Sequence, residues 1–249
     1  FNTEETSVSA KLEKRFSEHF SILATLFTYS LPRNFNIISS TSVNATQEYR
    51  LGGSGIELLW DQRDNIFNPL KGWFISESFD YYSPYLASHS DVNFIVSKAR
   101  FNYYYHLGKE AVFALSLGYD HLWGLESDSR IPENKRLTLG GRSSLRALPE
   151  NFLRFDEESV AEERAMLARF EYRMPLFMGW GMASFFEAGE VSVLRDRVLE
   201  ERSTGLRTGA GFGLRYKTPV GPLSVDWAYN LNARQGEDDY QISLSIGAF

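Results

Sequence analysis

The chain has 249 residues, 43% apolar and 15% aromatic, with a formal charge of −6 and no cysteine. That length can bury a sizeable core as one large β domain or two ordinary ones. The acidic balance argues against a nucleic-acid surface, which needs clustered Lys and Arg, and the missing thiols exclude a disulfide framework and thiolate metal sites without fixing the compartment.

The chain opens Phe1-Asn2-Thr3-Glu4-Glu5, with no Met, no basic segment and no apolar segment. An exported protein carries a signal, so this beginning reads as that of a processed or truncated chain. No run approaches the roughly 18 consecutive apolar residues of a membrane helix. Period-2 alternation dominates instead. It predicts about eleven strands, near residues 7–17, 19–30, 52–63, 72–83, 93–107, 111–124, 164–175, 179–192, 205–218, 221–232 and 240–249. In 95–107, Ile95, Ala99, Phe101, Tyr103, Tyr105 and Leu107 share one face, and Lys98, Arg100, Asn102, Tyr104 and His106 the other. In 166–174, Met166, Ala168, Phe170, Tyr172 and Met174 oppose Leu167, Arg169, Glu171 and Arg173. Further on, Thr208, Ala210, Phe212, Leu214 and Tyr216 oppose Gly209, Gly211, Gly213, Arg215 and Lys217. Leu223, Val225, Trp227, Tyr229 and Leu231 oppose Ser224, Asp226, Ala228 and Asn230, and Tyr240, Ile242, Leu244 and Ile246 oppose Gln241, Ser243, Ser245 and Gly247.

Alternation alone fits a soluble sandwich as well as a membrane barrel. Three features favour the barrel. The strands are about ten residues long, enough for a tilted strand to cross a bilayer. Tyr103, Tyr105, Trp123, Trp180, Trp227 and Tyr229 are expected at strand ends, as in the girdles at a lipid–water boundary. The polar face mixes charges with Gly, which suits a wet lumen. Tight turns at 17–19, 174–179 and 217–221 also alternate with long polar loops near 31–52, 84–92, 125–163, 193–204 and 232–239. Short turns on one side and long loops on the other are the outer-membrane pattern. The fold class is therefore all-β, a transmembrane antiparallel up-and-down barrel. Bacterial single-chain barrels have an even strand number, so further strands are expected upstream.

Three stretches carry specific residues. Trp60-Asp61-Gln62-Arg63-Asp64-Asn65, continuing through Asn68-Pro69-Leu70-Lys71-Gly72-Trp73, forms a charged turn between two strands. The longest loop holds Leu139-Gly140-Gly141-Arg142-Ser143-Ser144-Leu145-Arg146-Ala147-Leu148. Phe185-Phe186-Glu187-Ala188-Gly189 follows one strand after Glu171, and parity puts both carboxylates on the polar face with Gly189 beside them.

Together these stretches resemble the BamA/TamA-type outer-membrane assembly family, the bacterial surface antigen barrels. The first is similar to the family's Asp-x-Arg-Asp-Asn…Pro-x-Arg-Gly turn, with Lys71 for Arg; its residues are Asp61, Arg63, Asp64, Asn65 and Gly72. The second is similar to the Gly-Gly…Arg-Gly loop that folds into the lumen, with Ala147 for Gly and Leu148 for an aromatic. The third is similar to Phe-x-Asp-x-Gly, with Glu187 for Asp. The last strand, with Tyr240, Ile242, Leu244, Ile246 and Phe249, resembles the carboxy-terminal signal of barrel proteins. The likeness spans about residues 52–249. It implies a barrel of about sixteen strands, residues 1–249 forming its carboxy-terminal part without periplasmic POTRA repeats. It further implies a lumen loop in which Gly140, Gly141 and Arg146 meet Glu171, Glu187 and Gly189, one guanidinium spanning both acids. The implied function is insertion or translocation of unfolded outer-membrane or secreted clients at a weak lateral seam in the bacterial outer membrane. Outer-membrane lipid and periplasmic or lipoprotein accessory subunits are the implied partners, with no nucleic acid, cofactor, metal or bond chemistry. A two-partner-type secretion pore and a passive porin or surface-antigen barrel are the alternatives. Enzymatic readings find little support: His19, His89, His106 and His121 lack metal-ligand spacing, and neither a Gly-x-Ser-x-Gly elbow nor a phosphate loop occurs.

Overall fold

A computed structural model of the chain describes residues 3–34, 50–126, 129–155, 161–195, 200–219 and 221–246. The strands are β1 (Thr3–Arg15), β2 (Phe20–Asn34), β3 (Leu51–Asp61), β4 (Gly72–Tyr82), β5 (Phe94–Gly108), β6 (Ala111–Gly124), β7 (Glu162–Pro175), β8 (Trp180–Arg195), β9 (Glu200–Ser203), β10 (Arg207–Tyr216), β11 (Leu223–Asn230) and β12 (Tyr240–Ile246). Every pairing is antiparallel and joins sequence neighbours along one sheet, except that β10 follows β8 directly and β9 pairs only with the end of β8. A meander of this kind satisfies backbone groups between adjacent strands and needs no crossover helix. β1 and β12 form the two ends of the sheet and are not paired with each other among the described residues.

The eleven predicted strands are all present and differ in extent: β1 begins at Thr3 and β2 runs on to Asn34, into the predicted loop 31–52. The predicted loop 193–204 is largely hairpin, because β8 runs on to Arg195 and β9 pairs back along it. β11 is shorter than expected, spanning Leu223–Asn230, while β12 begins at Tyr240 as expected and is described to Ile246, residues 247–249 lying outside the described residues. Trp227 lies mid-strand rather than at an end, opposite Phe212 and Ile242.

Side-chain parity divides the sheet into two unlike faces. On the convex side Met166, Phe212 and Ile242 are 54%, 55% and 66% exposed, and Phe170, Phe186, Val225, Trp227 and Leu244 are exposed beside them. An apolar surface this continuous needs an apolar medium over it, which a soluble sandwich with its apolar faces turned inward does not. The concave side is not uniformly wet, as the sequence suggested. Towards the long loops it is dry: Leu51, Tyr82, Phe94, Val96, Leu122, Ala165 and Val191 from the wall pack with Leu137, Leu139, Leu145, Leu148 and Leu153 of the longest loop. Phe94 and Val96 share the inward parity of Lys98 and Arg100 on β5. One strand face thus changes from apolar to charged along its length, which a whole-strand reading averages away.

The turn end has its own small cluster. Leu70, carried by the 62–71 turn, packs against buried Tyr104, Val112 and Ala114. Arg63 is aligned for this turn by Asp61, whose two carboxylate oxygens accept from Nε at 2.9 Å and Nη2 at 2.7 Å. Asp64 accepts from the backbone N–H of Leu70, and Asn65 accepts from Phe67 and Asn68, all at 2.8–2.9 Å. Gly72 closes the turn at φ +104°, where a Cβ would lie 2.1 Å from the Gln62 carbonyl oxygen.

Candidate functional site

The longest loop returns over the concave face as a pinned excursion. Leu139 and Leu153 exchange backbone hydrogen bonds of 3.0 and 2.8 Å. Between them the chain turns through Gly140 (φ +125°) and Gly141 (φ +86°), values a side chain rarely adopts. The Ser144 hydroxyl accepts from the Gly140 N–H at 2.7 Å and donates to its carbonyl at 2.9 Å, and the Gly141 N–H donates to Leu148 at 2.9 Å. Ala147 is not among the residues at positive φ, so Ala in place of Gly is accommodated without strain there. Its methyl lies against β10 at Gly209, where a Cβ would be only 2.5 Å away. Likewise a Cβ at Gly189 would meet Leu139 and Leu145 at 3.0 and 3.2 Å. The inward glycines of the wall are the space the loop occupies.

This arrangement delivers Arg146 to the wall. Its guanidinium donates from Nε to Glu187 Oε1 at 2.7 Å, and from Nη1 to Glu171 Oε2 at 2.8 Å and Asp226 Oδ2 at 3.0 Å. The Arg146 backbone N–H also donates to Glu187 Oε2 at 2.7 Å. The Phe185 ring stacks under the guanidinium, 3.5 Å from centroid to carbon. Arg146 is 5% exposed and Glu187 0%, so these are desolvated charges that depend on one another. Burial opposes the Arg146 charge, but Glu187, Glu171 and Asp226 outweigh it and raise the guanidinium pKa further above its ordinary value.

The pairing differs in detail from a two-acid bridge. Glu171 lies across from Phe185 and Glu187 across from Arg169, so the two acids are diagonal neighbours on β7 and β8. The guanidinium then reaches a third acid, Asp226 on β11. Sequence reasoning placed Asp226 on the polar face but did not join it to the loop, because β11 is separated from β8 by β10. Three other arginines complete the network. Arg173 donates to Glu171 at 2.8 Å, Arg215 to Asp226 at 2.5 Å, and Arg169 to the Ser143 carbonyl at 3.1 Å. A second anchor was also missed. Glu163 at the start of β7 pairs with Arg136 and accepts from the Leu137 N–H at 2.7 Å. Its position in the acid-rich run before Met166 gave no reason to expect a buried partner. Beneath the lock, towards the turns, lies a cavity of about 930 Å³ lined by Arg142, Arg146, Arg169, Glu171, Arg173 and Arg215 among others.

The remaining sequence-predicted residues fall elsewhere. Asp61, Arg63, Asp64, Asn65 and Gly72 build the 62–71 turn on the cavity side and do not touch the lock. Tyr240, Ile242, Leu244 and Ile246 project from the convex face of β12, all exposed; Phe249 lies outside the described residues. No group of three His, Cys, Asp or Glu among the described residues is placed to hold a metal ion.

Residues 3–249 match the model of the Omp85 superfamily domain. The chain belongs to the Omp85 superfamily. Among solved structures, this Omp85 chain is similar to BamA from Haemophilus ducreyi lacking POTRA domains 1–3, with a TM-score of 0.73 and 15% identity. That match covers 96% of this chain and 53% of the other. It is also similar to CdiB from Acinetobacter baumannii, with a TM-score of 0.59 and 13% identity over 97% of this chain and 42% of the other. At such identities the likeness carries the fold. The chain spans about half the length of each of these two solved chains.

Proposed function

We propose that this Omp85 chain is the wall and lumen loop of a bacterial outer-membrane barrel that assists insertion of other outer-membrane proteins. The convex apolar face contacts lipid. Unfolded clients, delivered with periplasmic or lipoprotein accessory subunits, pair with an exposed sheet edge. The protein performs no bond chemistry and uses no cofactor. In the whole protein, residues 1–249 form the carboxy-terminal barrel portion, the 61–72 turn faces the periplasm, and the last strand carries the barrel signal ending at Phe249.

The observation that carries this reading is the seated loop. Arg146 holds it against Glu187, Glu171 and Asp226, while its leucines fill the upper concave face. A pore that threads an unfolded polypeptide needs that space, whereas insertion at an edge leaves the loop in place as a scaffold. The cavity of about 930 Å³ beneath the loop keeps the two-partner-type secretion pore as the second reading. Depletion in the source bacterium separates the two. Insertion predicts a broad fall in outer-membrane barrel proteins; normal levels with loss of one secreted client refute it in favour of the pore.

A further inference from the structure

One carboxyl group interrupts the apolar belt of the convex face at mid-height. β4 pairs with β3 and with β5 without a register shift. Glu77 lies across from Leu58 on β3 and from Ala99 on β5, and along β4 it shares the parity of Ile75 and Phe79. Leu58, Ile75 and Phe79 are exposed on the convex side, so the Glu77 side chain stands among them, facing outward. Glu77 is the sixth of the eleven residues of β4. With a rise of ~3.3 Å per residue and a tilt of ~40°, it sits ~12 Å from either end of the strand, in the middle of the apolar band.

The wall provides little for this group. The Ser97 hydroxyl on β5 donates to Glu77 Oε1 at 3.1 Å, and among the described residues no cation pairs with it. A carboxylate can accept about four hydrogen bonds, so most of its capacity is open. Against lipid an apolar side chain costs less, and an ionisable one needs a partner. The small Ala99 leaves its flank uncovered, with Tyr119 the next large side chain along the row. The charged side chains nearer the strand ends have companions on their own face. Lys14 lies over the Phe16 ring, and Arg164 donates to Glu162 at 2.7 Å.

We propose that Glu77 is a docking point for a second membrane-spanning protein that presents a basic side chain, Lys or Arg, at mid-bilayer depth. This rests on the reading of the convex face as the lipid-facing wall and adds a lateral partner to it. Depth selects the occupant. A lipid headgroup or a soluble domain is confined to the ends of the wall, ~12 Å away, whereas a membrane-spanning segment carries side chains to that level. Sign selects the side chain, because a carboxyl group and a basic group satisfy each other where either alone is costly. A second copy of this chain does not supply the cation. Among the described strand residues the outward-facing cations are Lys14 and Arg164, each within three residues of a strand end.

The test uses the full-length protein in phospholipid vesicles with a photo-crosslinking amino acid at Ile75. The probes are two synthetic membrane-spanning Leu-Ala helices of roughly 21 residues, one with Lys at its centre and one with Leu there. At limiting peptide the Lys helix should crosslink about fivefold more than the Leu helix, within the range of polar pairs between membrane segments. Glu77→Leu should bring the two yields together, and Glu77→Gln, which keeps an acceptor without the charge, should fall between. Heat-modifiable migration of all three proteins verifies that the barrel is intact. Equal yields of the two helices with the parent protein, or a Lys preference that survives in Glu77→Leu, overturn the docking point and leave the lipid-facing wall standing. A parent protein that does not fold into the vesicles overturns both.

Discussion

Arg146→Ala removes the side chain that ion-pairs the loop to β7, β8 and β11. The acids it leaves are not equally exposed to the loss. Glu171 keeps Arg173 at 2.8 Å and Arg215 at 3.4 Å, and Asp226 keeps Arg215 at 2.5 Å. Glu187, fully buried, keeps the backbone N–H of residue 146, with the Arg169 charge across the strand pair. Breaking a buried pair from one side costs ~3–5 kcal/mol, and water entering from the adjoining cavity brings this towards the lower bound. A loss of about 3 kcal/mol lowers the melting temperature by roughly 6–12 °C for a domain of this size. Arg146→Lys should recover less than half, since an ammonium replaces neither the Nε–Nη1 fork nor the stack on Phe185. Thermal melting of the folded protein in detergent, with limited proteolysis of the loop, reads both effects. An Arg146→Ala protein that melts within ~1 °C of the parent and shows no new cleavage between residues 129 and 155 refutes the lock.

Three further outcomes follow from the same geometry. Gly209→Ala should cost ~1–3 kcal/mol by overpacking against Ala147, and adding Ala147→Gly should return most of it, a coupling measurable by a double-mutant melting cycle. Glu237, in the loop before β12, is held at a pKa of about 2, first by the hydrogen bond from Arg207. Its folded pKa is depressed, so the stabilisation is complete above the ordinary carboxylate value of 4.5 and is lost as pH falls through about 2; hydrogen-exchange protection of residues 231–239 should follow that window, and Glu237→Gln should flatten it. Gly72→Ala should destabilise the 62–71 turn by ~1–3 kcal/mol through its positive φ and the Gln62 carbonyl, seen as increased proteolysis there with the Arg146 loop still protected.

The strands are legible because lipid-facing walls demand alternation at every second position, which β7 and β10 keep over most of their length and β5 keeps from Lys98 to His106. Arg146, Glu171 and Glu187 are singled out by the resemblance of their stretches to the family's loop and strand motifs, and parity adds only that both acids face inward on adjacent strands. Asp226 and Phe185 were harder to assign. Parity placed Asp226 inward, yet its distance from Arg146 depends on the curvature of the wall across β10, which no local pattern encodes. The dry upper tier was hidden for a different reason. Leu137, Leu145 and Leu153 occur in a loop without period, so their burial is decided only when the loop folds over Phe94, Leu122 and Val191. Arg136 and Glu163 belong with them, since their pairing depends on the same excursion.

The central claim is that this chain's barrel accelerates the insertion of other barrels while its loop stays seated. The most direct measurement is the folding rate of a small eight-stranded barrel client, released from urea into phospholipid vesicles containing the full-length protein, followed by heat-modifiable migration. The account predicts folding several-fold faster than in empty vesicles, with the acceleration lost in Arg146→Ala. Client folding at the empty-vesicle rate, with the protein itself fully folded in the bilayer, contradicts it.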